Sequence, residues 1–271
     1  PTGAISNSLS TIIPWKEKLV NVMSYLSYQK DRQKMTSLYS GFNDFNTILN
    51  TSQLSRLDQK LSLTTFTANH SASVGFSYKK WTITPEAGVN LSYNTMDSQM
   101  FNNQALLGVD FQNDMKWNEV NPYVSAGLNY KGSALNLNIG LPLNFYDISY
   151  KDQIRDHSKK ISKTVFIPNL WASYDFASFF KLWGFASMNY NFGDFGDLYE
   201  GNLLRNPRSI GNNESILPDN RSTNASTRLE YRNPLNNLFF NIRYSYGQNK
   251  KNLISRTQQF ASGAVITDLY E

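Results

Sequence analysis

Residues 81–93, WTITPEAGVNLSY, constrain the fold more than any other stretch of the chain. The odd positions are Trp81, Ile83, Pro85, Ala87, Val89, Leu91 and Tyr93, all apolar or aromatic. The even positions are Thr82, Thr84, Glu86, Gly88, Asn90 and Ser92, all small or polar. A period of two belongs to an extended strand, whose successive side chains point to opposite faces. This strand therefore has one oily side and one wet side. An aromatic at each end of the oily side suits a strand that crosses a bilayer, because amphipathic rings settle at the two headgroup interfaces.

The pattern recurs. In 133–146, Leu135, Leu137, Ile139, Leu141, Leu143 and Phe145 alternate with Asn136, Asn138, Gly140, Pro142 and Asn144. Residues 66–78, 120–130, 180–192 and 238–247 alternate in the same way. A soluble β-sandwich or β-solenoid also alternates. Two features favour a membrane wall instead. The wet faces carry Asn, Ser, Thr and Gly where a solvated sheet carries more Lys and Glu, and several runs exceed the usual strand length of about 5–6 residues. Composition agrees. Aromatics make up 14% and charged residues only 17%, yet mean hydropathy is −0.46. That mixture fits a wall with lipid on one side and a polar lumen on the other. Pro85, Pro122 and Pro142 fall inside alternating runs, where each removes a ladder donor.

The connections supply a second argument. Short turns are expected near 14–18, 78–81, 130–133, 176–181 and 232–237. Long polar stretches, expected as loops, fall at 29–59, 94–111, 147–162 and 193–221, with 112–130 read as one strand. Short turns at one rim and long loops at the other mark an outer-membrane barrel. The expectation is an all-β chain, an antiparallel meander forming part of a large transmembrane barrel. It is read as one barrel section over 1–271 of about ten to eleven strands, with a partial strand at 258–270.

Other classes find little support. No segment reaches the roughly 18–20 uncharged apolar residues of a membrane helix. There is no cysteine, hence no disulfide framework or thiolate metal site. The net charge of +5 is spread thinly, without the basic stripe of a nucleic-acid binder. No secretory signal is present, so a signal has been removed or the chain begins within a longer one.

No catalytic, cofactor or metal site is expected. His70 continues the lipid-side parity of its strand and is placed near the outer interface; His157 lies in a charged stretch, KDQIRDHSKK, expected as a solvated loop. GDFGD at 193–197 lacks phosphate-loop spacing. Asp194, Asp197 and Glu200 could offer oxygens to Ca²⁺ but do not match an EF-hand, and a soluble loop is the preferred reading. Lumen-facing charge is more informative. Arg228, Glu230 and Arg232 share one face of 222–232, Arg243 takes the polar face of the next strand, and Glu86 and Asp175 do so elsewhere. These six are candidates for docking a plug or guiding a solute; the alternative is that they only solvate the lumen or pair with one another.

A resemblance adds to this reading. LEYRNPLNNLFFNIRYSYGQNKKNLIS (229–255) closely resembles a recurrent segment of large TonB-dependent receptor-like outer-membrane proteins, which carry a carboxypeptidase-regulatory-like domain, a plug and then the barrel. KKWTITPEAGVNLSYN (79–94), NDMKWNEVNPYVSAGLNYK (113–131), PNLWASYDFASFFKLWG (168–184) and LLRNPRSI (203–210) look like the same family. The family's barrels belong to the 22-stranded, plugged class. No regulatory domain, TonB box or plug is found here, and AVITDLYE lacks the terminal aromatic of a final barrel strand, so the chain reads as a middle section. The resemblance implies solute import across the outer membrane. It implies as partners outer-membrane lipid, further strands and a plug, TonB, and a surface lipoprotein. A passive or structural barrel in a larger complex and a secreted β-sandwich adhesin are the alternatives.

Overall fold

The computed structural model describes residues 2–38, 56–193, 196, 198–206, 209–213, 216–259 and 265–270. Antiparallel hairpins follow one another along the chain. β1 (Gly3–Trp15) turns at Lys16 and Glu17 into β2 (Lys18–Leu38), and β3 (Arg56–Val74) runs on through β4 (Phe76–Tyr78). A second two-residue turn leads to β5 (Trp81–Asn102). Lys16 and Lys79 open these turns with φ of 56° and 53°, the left-handed conformation that a two-residue hairpin loop requires. A short β6 (Ala105–Leu106) precedes β7 (Gln112–Lys131).

Two long, broken strands follow. The first is β8 (Leu135–Gly140) with β9 (Leu143–Asp152), and the second is β10 (His157–Phe166) with β11 (Asn169–Ala177). β12 (Phe180–Asn191) leads to two small strands, β13 (Leu203–Asn206) and β14 (Ser209–Gly211). The wall resumes with β15 (Asn220–Asn233) and β16 (Leu238–Lys250), and the chain continues through β17 (Ile254–Gln259) and β18 (Val265–Tyr270).

These elements form a 14-stranded sheet with the path β1-β2-β3-β5-β7-β8-β11-β12-β15-β16, a meander of sequence neighbours. Its two ends, β1 and β16, do not pair with each other among the described residues. The segment expected to add a partial wall strand at 258–270 instead supplies β17 and β18 to a separate sheet of order β13-β14-β18-β17.

The prolines now have a physical account. The β3 ladder onto β5 stops at Ser73↔Glu86 and resumes as β4 at Phe76↔Ile83, so Pro85 lies in the gap while still facing Ala126 of β7. The β7–β9 ladder skips from Val120↔Asp147 to Tyr123↔Asn144, across Pro122. Pro142 separates β8 from β9, and Pro168 separates β10 from β11, without a change of register. Each proline sits where the ladder on one side is already interrupted, so no donor is missed in a continuous ladder.

Face assignment follows from exposure. Along β5 the apolar positions Trp81, Ile83, Pro85 and Ala87 are exposed, and the polar positions between them are half-buried. This is the reverse of a soluble sheet and is what the outside of a curled wall shows. Aromatics mark both rims of that outer face. At the short-turn end Trp81 meets Tyr130 at 4.9 Å, and a ladder runs Tyr174–Phe176–Phe180–Tyr231–Phe240 with centroids 4.7–6.0 Å apart. At the other rim Tyr28, Phe66 and Tyr93 are register partners. With about 3.3 Å rise and roughly 45° tilt, the strand from Trp81 to Tyr93 climbs about 28 Å, close to the ~25 Å apolar band of outer-membrane barrels. His70, a partner of Val89, lies four residues short of Phe66, inside the band and not at its rim.

The expected long loops are shorter than the sequence pattern suggests. β2 continues to Leu38, β5 to Asn102, and β9 and β10 meet across residues 153–156. Most of 94–111 and 147–162 is therefore strand. The reason is an inversion of polarity beyond the outer aromatic row. In β5 the outward residues become Thr95, Asp97 and Gln99, while the inward Met96, Ser98 and Met100 are buried. In β9, Asp147, Ser149 and Lys151 point outward and Ile148 and Tyr150 inward. Where the outward face turns polar, apolar side chains find cover only within.

Candidate functional site on the inner face

The six candidate charges all share the inward parity. Glu86 stands apart on β5. The Tyr123 hydroxyl donates to its Oε1 at 2.6 Å from the neighbouring strand β7. Tyr123 reaches it by lying over Gly88, where a Cβ would come within 2.7 Å of the ring. Only glycine at that position leaves room for the ring.

The other five gather toward the short-turn rim of β11, β12, β15 and β16. Asp175 is opposite Lys181, with 3.4 Å between carboxylate and ammonium. Lys181 is opposite Glu230 on its other side. Glu230, 8% exposed, forms ion pairs with Arg228 Nη2 at 3.1 Å and with Arg232 Nε. Arg243 sits directly across from Arg228. The strands thus bring Asp175, Arg228, Glu230, Arg232 and Arg243 into one patch and leave Glu86 outside it.

Sequence reasoning missed the aromatic part of this patch. Trp171 and Trp183 meet edge to face at 5.5 Å, with the Lys181 ammonium 4.7 Å and the Arg228 guanidinium 5.3 Å from the Trp183 ring. A cavity of about 180 Å³ is lined by Trp171, Trp183, Phe185, Ser226, Arg228 and Arg243. Trp183 Nε1 and Arg228 Nε are buried there without a hydrogen-bond partner among the described residues. A buried donor left unpaired costs on the order of 1–3 kcal/mol, so the notch is suited to a ligand or segment that brings an acceptor. The signal was available: Lys181, Trp183 and Phe185 are the odd positions of a run whose oily face is even.

The opposite end of the inner face is covered by the chain itself. Leu198, Tyr199 and Leu217, between β12 and β15, pack on Met96, Met115, Trp117, Ile148 and Tyr150. Side-chain amides imitate ladder pairs to hold this segment down. Asn113 Nδ2 donates to Gly201 O at 3.2 Å, and Gly201 N donates to Asn113 Oδ1 at 2.8 Å. Gln59 does the same with Leu204, at 3.0 and 2.7 Å. A Cβ on Gly201 would stand 2.3 Å from the Gln112 carbonyl oxygen, so the approach requires glycine.

Ion pairs complete the attachment. Arg155 donates to buried Asp152 at 2.8 Å and lies 3.8 Å from Glu200, which also meets His157 at 3.0 Å. His157, expected in a solvated loop, is the first residue of β10 and is tied to this segment through Glu200. Nearby, the Thr36 hydroxyl and then the Arg56 guanidinium hold the Asp58 carboxyl below the usual carboxylate range. Of the acidic trio, Asp194 and Asp197 lie outside the described residues.

No protein-family model matches the sequence, and no protein of curated function does. Solved structures do match. The ferric yersiniabactin uptake receptor FyuA from Yersinia pestis superposes on 92% of this chain with a TM-score of 0.58 at 9% identity. The copper transporter OprC does so over 98% with a TM-score of 0.61 at 14% identity. FpvAI, from its complex with pyocin S2, covers 99% with a TM-score of 0.56 at 10% identity. Only 36%, 41% and 35% of those chains are used, so this chain spans less than half their length. The fold is that of the barrel wall of TonB-dependent outer-membrane receptors, in the form of a partial barrel. These structural neighbours are receptors and transporters, not enzymes.

Proposed function

We propose that this chain is one section of the wall of an energised importer in the outer membrane of a Gram-negative cell. The observation that supports it most is the combination of an apolar, aromatic-rimmed outer face with two sheet edges, β1 and β16, that pair with no further strand among the described residues. Unpaired backbone groups facing hydrocarbon cost several kcal/mol each. Both edges therefore call for further strands, and barrels of the 22-stranded class enclose a lumen that is plugged.

In this reading the Trp171–Trp183–Arg228–Arg243 notch and the Asp175–Lys181–Glu230 row, near the short-turn rim, form the seat against which a plug docks. Arg232 braces Glu230 within it, and Glu86 is a separate inner-wall contact. TonB on the periplasmic side and a surface lipoprotein over the extracellular mouth are the partners the reading calls for.

The test is genetic and energetic. Deleting the gene should abolish growth on one sole nutrient or cofactor source among a panel supplied at limiting concentration. Restoring the gene should restore growth only while TonB is present. Uptake restored equally without TonB would instead support a passive barrel.

A further inference from the structure

The inner face is divided by charge. On β11, β12, β15 and β16 the inward charges are Asp175, Lys181, Arg228, Glu230, Arg232 and Arg243, with cations in excess. On β2, β3, β5 and β7 to β9 the inward positions carry no lysine or arginine above Lys131, at the lower rim. They carry four acids instead, Asp31, Glu86, Glu119 and Asp152.

Three of those acids are engaged. Asp31 accepts from Thr2 and Gln33 at 2.7 Å each, Glu86 accepts from Tyr123 at 2.6 Å, and Asp152 pairs with Arg155 at 2.8 Å. Glu119 is half-buried, and among the described residues its carboxylate has no hydrogen bond or ion pair. Lys163, on the neighbouring inward face of β10, is taken by Asp219.

The group beside Glu119 is also an acceptor. Asn121, two residues along β7, is 3% exposed. Its Nδ2 donates to Asn144 Oδ1 at 3.3 Å, which leaves its buried Oδ1 without a donor. A carboxylate and an amide oxygen that both lack donors call for a ligand made of donors. Ammonium and guanidinium groups have donors only. Ca²⁺ takes about 6–8 oxygens, more than this pair offers, and no group of three acids or histidines among the described residues could hold a metal ion.

Height separates this position from the lower-rim patch. Glu119 is in register with Ser92, the inward neighbour of Tyr93, and lies two residues below Trp117, on which the covering segment packs. The Trp171–Arg228 notch is toward the opposite, short-turn rim. A solute that has passed the covering segment therefore meets Glu119 at the head of the polar wall.

We propose that Glu119, backed by Asn121, binds an ammonium or guanidinium group of the imported solute, an inference that rests on the importer reading. The solute is then a cation or a zwitterion, not a purely anionic or neutral molecule.

The test uses the complete protein in detergent with fluorescent trilysine, triglutamate and trialanine as probes. The unaltered protein should bind trilysine at least about tenfold more tightly than the other two, and Glu119→Gln should remove the preference, since a hydrogen bond to a charged partner is worth about a factor of ten or more. Asp147→Asn, an acid on the outward face in register with Val120, should leave it unchanged. A second readout needs no solute. This chain has no cysteine, so Ser92→Cys sets a single thiol opposite Glu119. A trimethylammonium methanethiosulfonate should label it roughly tenfold faster than the sulfonate analogue, and Glu119→Gln should level the two rates. Equal rates with Glu119 present would mean that a cation of the plug already neutralises it, and would overturn the proposal while leaving the importer reading intact. So would the lack of any preference for trilysine, or a preference that survives Glu119→Gln. Loss of TonB-dependent growth in the genetic test would remove the importer reading and this proposal together.

Discussion

The lower and upper halves of β5 are the same strand under two solvents. From Trp81 to Tyr93 the odd residues are apolar, with Trp81, Ile83, Pro85, Ala87 and Tyr93 exposed and Val89 and Leu91 half-buried, and the even ones are small or polar and half-buried. From Thr95 to Gln99 the outward residues are polar, and inward Met96 and Met100 are 3% and 1% exposed. β7 changes in step: Val120, Val124 and Leu128 face outward below, while Met115 and Trp117 are buried inward above. Backbone, twist and register are continuous through the change. What differs is the medium outside. In lipid the sheet needs no core, because hydrocarbon covers its apolar side. Above the bilayer it must build one, and the segment between β12 and β15 is what it builds with.

The largest effect is expected in the upper half. Trp117→Ala removes a ring that is 2% exposed and should destabilise the protein by about 3–5 kcal/mol. Lys116→Ala, one residue away and outward, should change stability by no more than about 0.5 kcal/mol. Denaturant titration of the reconstituted protein, followed by tryptophan emission, reads both. Similar costs at the two positions would dissolve the distinction between inner core and wet exterior.

In the lower half the sensitive parity is the other one. Val89→Arg, at mid-band and outward, should cost roughly 2–4 kcal/mol, and Asn90→Arg much less. The first position fails because a charge must enter hydrocarbon, the second succeeds because it enters a polar lumen. The two halves together thus predict opposite parities of sensitivity along one strand.

A smaller effect sharpens the role of the covering segment. Asn113→Ala removes both hydrogen bonds to Gly201 and should cost about 1–3 kcal/mol, felt locally. Limited proteolysis of intact cells should then cut between 192 and 219 faster than in the unaltered protein, with barrel insertion unchanged. Smallest of all, Asp147→Asn breaks the exposed pair with Lys160 and should shift stability by about 0–1 kcal/mol. A loss well above that would mean the outward upper face is not simply solvated.

The sequence showed the lower half more clearly than the upper. One long apolar parity in each run, with polar residues between, leaves little freedom in fold or facing, so Glu86, Asp175, Arg228, Glu230, Arg232 and Arg243 could be assigned to a side. In 94–102 and 147–162 both parities are mixed, because Met96 and Ile148 are oily on the side that was wet below. Those stretches read as loops although they are strands. The covering segment was illegible for another reason. Its attachment depends on Gln59 and Asn113 reaching residues 145 and 88 positions away, and nothing local announces such a pair. Trp171 and Trp183 do carry a local signal, since each is an apolar ring on the parity that otherwise holds Ser173, Asp175 and Lys181.

Spin labels placed singly from 85 to 102 in the complete, membrane-inserted protein test the central claim most directly. Collision with dissolved oxygen reports lipid, and collision with a water-soluble nickel chelate reports water. The account predicts oxygen maxima at 87, 89 and 91. Beyond Tyr93 the phase reverses, with nickel maxima at 95, 97 and 99 and neither reagent reaching 96, 98 or 100. A single unbroken alternation through 102, or nickel access on one face throughout, would contradict it and make this sheet a soluble one.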